Sequence, residues 1–154
     1  MSNQLILWLM LIVPWLTLFF LKKEGIKRYI SVTIFTALLV TIVSEMAYTY
    51  KWTEIMVKIV PWGHITNVSL AYGSFFITTI WVFYLTFEKF WLYLVTNIVI
   101  DGLGAFLITY ILELRKISQL VNLSKLSLFL IMVTLSLIAY GFQVWYQKLE
   151  IKEE

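Results

Sequence analysis

The chain has 154 residues, of which 61% are hydrophobic, 18% aromatic and only 14% charged, against roughly 25% charged in a typical soluble domain. With a mean hydropathy of +0.87, it carries more apolar surface than one core of this size can hide from water, so lipid must cover the rest. The formal charge of +3 is scattered between apolar runs, which excludes a nucleic-acid-binding stripe, and a chain with no cysteine and one histidine, His64, excludes disulfides, thiolate catalysis and zinc held by several imidazoles.

A helix crosses a hydrocarbon core of about 30 Å with about 20 apolar residues, and five runs meet that need. The expected fold is therefore all-α: a polytopic transmembrane helix bundle in a single membrane domain, with about five membrane-spanning helices and one short interfacial helix. The first run, 5–21, contains Pro14 and follows Met1-Ser2-Asn3-Gln4, which has no basic residue. It ends at Phe19-Phe20-Leu21-Lys22, which is not a small-residue cleavage site, so a retained crossing is expected rather than a cleaved signal. The second run, 29–50, carries Thr41, Ser44, Glu45 and Tyr48.

Between the second and third runs, 52–60 places Ile55, Met56 and Ile59 on one helical face and Glu54 and Lys58 at i, i+4 on another. This pattern predicts a short helix in the membrane interface, anchored by Trp52 and Trp62 and ended near Pro61-Trp62-Gly63. The third run, 65–87, holds Thr78 and Thr79. A turn of little more than Glu88 and Lys89 makes it the antiparallel partner of the fourth, 90–112. The fifth, 126–146, carries Ser136, Tyr140, Gln143 and Gln147. No internal repeat is visible, and an odd number of helices disfavours an inverted duplication.

Basic residues in short loops set orientation. Lys22, Lys23, Lys27 and Arg28 beside the single acid Glu24 place that linker in the cytoplasm, with the N-terminus outside and the C-terminus inside. Lys89, Lys148 and Lys152 then join the inner side, against Lys51, Lys58, Arg115, Lys116 and Lys125 outside.

An aspartate at a helix centre costs about 2.5–3.5 kcal/mol on insertion scales, so it calls for a partner or a purpose. Asp101 is the only aspartate in the chain and lies near the middle of the fourth run. Tyr93, Asn97 and Asp101 follow at i, i+4 and i+8 on one face, with Gly102, Gly104 and Ala105 beside it to allow close helix contact. No lysine or arginine lies within the other spans to neutralise it. The candidate ion or proton site is thus Asp101, Asn97 and Tyr93, with Glu45 nearer the outer boundary, the alternative for Asp101 being a structural hydrogen bond; the remaining polar stripes are expected to be interhelical hydrogen bonds. His64 is a candidate pH-sensitive loop residue, and a shared outer surface for Glu45 and His64 would be the one acid–base pairing on offer.

The stretch Asp101-Gly102-Leu103-Gly104-Ala105-Phe106 resembles the opening of the aspartate motif of the membrane CDP-alcohol phosphotransferases. Phe106 stands where that motif has arginine, and no second aspartate exists to hold metal ions, so that chemistry is excluded. The segment from Thr79-Ile80-Trp81-Val82-Phe83-Tyr84 through Asn97-Ile98-Val99-Ile100-Asp101 resembles small uncharacterised multi-pass membrane proteins of Gram-positive spore-forming bacteria. The resemblance covers the central third of the chain and implies a plasma-membrane location without implying an activity.

The functional expectation is a non-enzymatic membrane subunit, scaffold or interaction partner, with no catalytic residue, metal or cofactor. Its partners would be the lipid bilayer and a second copy or another membrane protein, with no nucleic acid. The alternatives are an oligomeric proton- or cation-linked transporter or channel built on Asp101 and, behind it, a small lipid-modifying enzyme.

Overall fold

The computed structural model of the chain describes residues 2–150; Lys152, counted above among the inner basic residues, lies outside them. Five helices are long and apolar enough to cross a membrane. They are α1 (Asn3–Leu16, extended by a 3₁₀ turn over Thr17–Phe20), α2 (Lys23–Thr49), α3 (Ser69–Thr86), α4 (Phe90–Leu114) and α5 (Lys125–Glu150). The all-α bundle is as expected. Helix α2 begins six residues earlier than predicted, so Lys23, Lys27 and Arg28 lie in its first turns rather than in a linker. Unbranched Lys and Arg are good helix formers, and their long stems carry the charge back to the interface.

The interfacial helix expected over 52–60 does not form. Thr53–Ile55 is a strand, β1, paired antiparallel with β2 (Ser118–Leu120) in the register Thr53↔Leu120, Glu54↔Gln119 and Ile55↔Ser118. The segment has period two: Thr53, Ile55, Val57 and Ile59 are half-buried while Glu54, Met56 and Lys58 are exposed. Glu54 and Lys58 share a face in either period, which is why their spacing misled. Of the two predicted anchors, Trp52 stacks on Tyr50 with ring centroids 5.7 Å apart, and Trp62 stands 70% exposed at the same end of the bundle.

Each strand leaves its helix in the same way. At the end of α2, Trp52 N–H donates to Ala47 O at 2.8 Å and Lys51 N–H to Tyr48 O at 3.2 Å; at the end of α4, Ile117 N–H donates to Leu112 O at 2.9 Å and Lys116 N–H to Glu113 O at 3.0 Å. Lys51 and Lys116 take the left-handed conformation this double closure requires, with φ of 52° and 53°. The flanking ribbon bonds also match, Val121 N–H to Trp52 O at 2.8 Å and Met56 N–H to Ile117 O at 2.9 Å.

The correspondence extends through the bundle and corrects the expectation of no internal repeat. Helix α2 packs on α3 and α5, and α4 packs on the same two. Exchange of the unit α2–β1–α3 with α4–β2–α5 would give the same pattern, although the π turns of α3 and α4 do not follow it. The two units run in the same direction through the bundle, unlike an inverted repeat. Helix α1 stands outside the pair and packs on the first half of α3. There Trp15 stacks on Phe76 at 5.4 Å and donates to Tyr72 O, while Trp81 donates to Thr17 Oγ1 at 2.9 Å.

Two buried clusters close the ends of the bundle. At the end holding the α3–α4 turn, Tyr29, Val32, Val82, Phe83, Phe87, Tyr93 and Ala139 pack together, joined by Tyr140, whose ring lies 5.2 Å from Phe87 and 4.8 Å from Tyr93. At the ribbon end, Leu7, Leu112 and Ile117 pack with Val57 and Ile59. The outward faces are apolar, with Leu38, Val95, Leu103 and Leu130 each about half exposed or more, as lipid contact demands.

Candidate functional site

Between the two clusters the helices part around a cavity of about 360 Å³, roofed by the ribbon and floored by Phe83 and Tyr93. Asp101 lines it at 6% exposure, and its Oδ2 is buried with no hydrogen-bond partner in the protein. Tyr93 and Asn97 lie with Asp101 along one wall, as the helical spacing predicts. Tyr93 donates its hydroxyl to Ser136 O at 2.7 Å, which ties α4 to α5, and Asn97 donates to Tyr93 O at 2.9 Å within α4; neither bond reaches Asp101.

Immediately beyond Asp101 and Gly102, α4 widens to i→i+5 hydrogen bonding over Leu103–Ile108, and α3 does the same over Ser69–Phe75. Such π turns insert an extra residue and re-aim the side chains that follow; they concentrate at functional sites. Here both border the cavity: Leu70, Ala71, Ser74, Phe75, Gly104 and Ile108 come from them.

The cavity obeys the pseudo-symmetry of the fold. Ser44 and Thr109, and Ala47 and Leu112, are separated by the offset of 65 that separates Glu54 from Gln119, and all four line it. Ala71 with Leu128, Thr79 with Ser136, and Val82 with Ala139 are the matching pairs from α3 and α5. Asp101 breaks the symmetry, since α2 contributes no acidic residue to the lining.

Glu45 does not join the site. Its neighbour Ser44 lines the cavity, whereas Glu45 is exposed on the outer surface of α2, turned away by the roughly 100° that separates consecutive residues in a helix of 3.6 residues per turn. His64 is also exposed and meets Tyr48 edge-on at 5.7 Å; no ion pair joins it to Glu45 among the described residues. The stripe on α5 behaves as interhelical bonding. Tyr140 donates to Phe87 O, Gln143 donates to Arg28 O, and the Gln147 amide oxygen, turned toward its donors, accepts from Arg28 Nε at 2.8 Å and Nη2 at 3.1 Å.

Sequence reasoning missed Thr36, Asn67 and Ser74 as cavity residues. The signal for Thr36 was present: Thr36, Val40, Val43, Ser44 and Ala47 follow at helical spacing and are all small or β-branched. Asn67 and Ser74 come inward through the loop and the π turn, which no periodicity announces. Among the described residues no group of His, Asp or Glu is placed to hold a metal ion. Comparison with protein-family models, with curated proteins and with solved structures gives no match.

Proposed function

We propose that the chain is a non-enzymatic plasma-membrane protein that takes a small, largely apolar molecule between its helices, with Asp101 as the polar anchor. The observation that carries this reading is the buried, unpartnered Asp101 Oδ2 on a cavity of about 360 Å³, within the roughly 300–1,000 Å³ of ordinary ligand sites. Burying a carboxyl group without a partner is costly, and a bound group that satisfies it offsets that cost. The aromatic floor and the ribbon roof favour a binding site between the helices over a continuous ion path. No lysine, arginine or histidine lines the cavity to act as a base or to pair with Asp101. As a binding subunit the protein would act alone or alongside another membrane protein through its apolar outer faces.

The test uses the full chain in detergent with octylamine, octanol and octanoate as probes. A ligand at 100 times its Kd stabilises the folded state by about 2.7 kcal/mol, so at least one probe is expected to raise the melting temperature in a saturable way. Thr79→Phe, which fills the cavity, is expected to remove that rise. If none of the three stabilises the wild type beyond the filled variant, the binding reading fails.

We also assign the end carrying Lys22, Lys23, Lys27, Arg28, Lys89 and Lys148 to the cytoplasm, supported by the excess of basic residues there, with the ribbon and the N-terminus outside. The absence of cysteine gives labelling a clean background. His64→Cys in intact cells is expected to react with a membrane-impermeant maleimide, and Lys89→Cys only after permeabilisation. The reverse pattern would invert the orientation.

A further inference from the structure

The cavity wall has a polarity of its own. Thr36 Oγ1 donates to Val32 O at 2.8 Å, Ser44 Oγ to Val40 O at 2.8 Å, Ser74 Oγ to Met10 O at 3.2 Å and Thr79 Oγ1 to Phe75 O at 2.9 Å. Thr109 Oγ1 donates to Gly104 O at 3.1 Å across the π turn, and Ser136 Oγ to Val133 O at 2.8 Å. A hydroxyl has one proton and two lone pairs. With each proton committed to a backbone carbonyl, these side chains have only lone pairs left to offer. Asp101 adds a carboxylate with an unpartnered oxygen, and no basic side chain lines the space. The other donors on the lining are the Asn67 amide, whose Nδ2 is buried without a partner, the second amide protons of Asn97 and Gln119, and the hydroxyls of Thr53, Thr66, Thr78 and Ser118, most of them on the ribbon or in the loop before α3.

A wall that presents acceptors from α2, α3, α4 and α5 recognises a group that is rich in donors and poor in acceptors. An ammonium fits, with three donors and no acceptor. An alcohol supplies one donor, and a carboxylate supplies none and repels Asp101. The rest of the lining is aliphatic and aromatic, which suits an alkyl or aryl body.

From this arrangement, and resting on the binding reading above, we infer that the ligand is a cationic amphiphile: a primary amine, protonated when bound, on a small apolar body. The ammonium pairs with Asp101 and hydrogen-bonds to the neighbouring hydroxyl oxygens. The body fills the space between the ribbon and the Phe83–Tyr93 floor. Charge pairing at a buried carboxylate is stronger than in bulk water, and the pair is neutral overall, as a membrane interior requires.

The three octyl probes separate this inference from the reading it rests on. Octylamine is expected to bind the full-length protein at least tenfold more tightly than octanol, and octanoate to show no saturable binding, measured by the concentration dependence of the melting temperature. Asp101→Asn, which keeps the shape and removes the charge, is expected to abolish the preference for octylamine over octanol. Asp101→Glu keeps the charge and is expected to retain the preference for the amine, which guards against a fold defect at this position. Equal binding of octylamine and octanol, or an amine preference that survives in Asp101→Asn, overturns the cationic class and leaves cavity binding standing. Failure of all three probes overturns both.

Discussion

Replacing Gly73 with alanine is expected to lower stability in detergent by about 1–3 kcal/mol, the usual cost of forcing extra volume into a well-packed contact. A Cβ at Gly73 would stand 2.5 Å from Met10 O and 2.7 Å from Leu11 Cα, both backbone atoms of α1 that no rotamer change can move aside. Helix α1 must then retreat as a body. Its retreat loosens the bond from Ser74 Oγ to Met10 O, the bond from Trp15 Nε1 to Tyr72 O and the stacking of Trp15 on Phe76. Leucine at the same position should detach α1 and leave the four repeat helices packed. Denaturant unfolding followed by tryptophan fluorescence reads the first change. Limited proteolysis between Phe20 and Lys23 reads the second, as faster cutting of this short, largely exposed connection once α1 no longer holds it. Unfolding curves of Gly73→Ala that superimpose on the wild type would show that the α1–α3 contact contributes nothing to the folded state.

The second large effect has the opposite sign. Asp101→Leu is expected to raise stability by about 1–3 kcal/mol in the absence of added ligand, the range for relieving one buried unsatisfied polar group. The leucine buries apolar surface against Ile100, Ile108 and Met132, residues of the same cavity wall, and removes an oxygen that no protein group satisfies. The same variant is expected to lose any binding that depends on the carboxylate. A residue that weakens the fold yet is the centre of a site is the ordinary trade between stability and function. If Asp101→Leu instead melts well below the wild type, the carboxylate is a structural partner and its assignment as a ligand anchor falls.

The five crossings were legible because lipid imposes one rule on every spanning segment, apolar side chains around a satisfied backbone, and that rule can be read locally. The depth of Asp101 and its alignment with Tyr93 and Asn97 were legible for the same reason, since both follow from position along one helix. The ribbon was not. Thr53–Ile55 finds its partner at Ser118–Leu120, beyond two whole crossings, and a three-residue strand leaves too short an alternation to outvote a helical pattern. Glu45 was misplaced because membrane depth can be counted along the chain, whereas the face of a helix depends on its neighbours. The repeat was hidden for another reason. Lipid asks only for apolarity, so the two halves can lose almost all identity while keeping their geometry. The most visible match is the pair of lysines, Lys51 and Lys116, at the two left-handed helix exits.

That repeat bears on how a lone acid came to lie at the heart of the molecule. A helix–strand–helix unit pairing with an identical copy must present every residue twice, and a carboxylate beside the axis would then face its own image across the cavity. Two such charges in one small site repel each other, and only one would stay ionised. Joining the two units in a single polypeptide removes the obligation. The α2 wall is then free to carry only hydroxyls and aliphatic groups while the α4 wall carries Asp101, and the hollow acquires a direction.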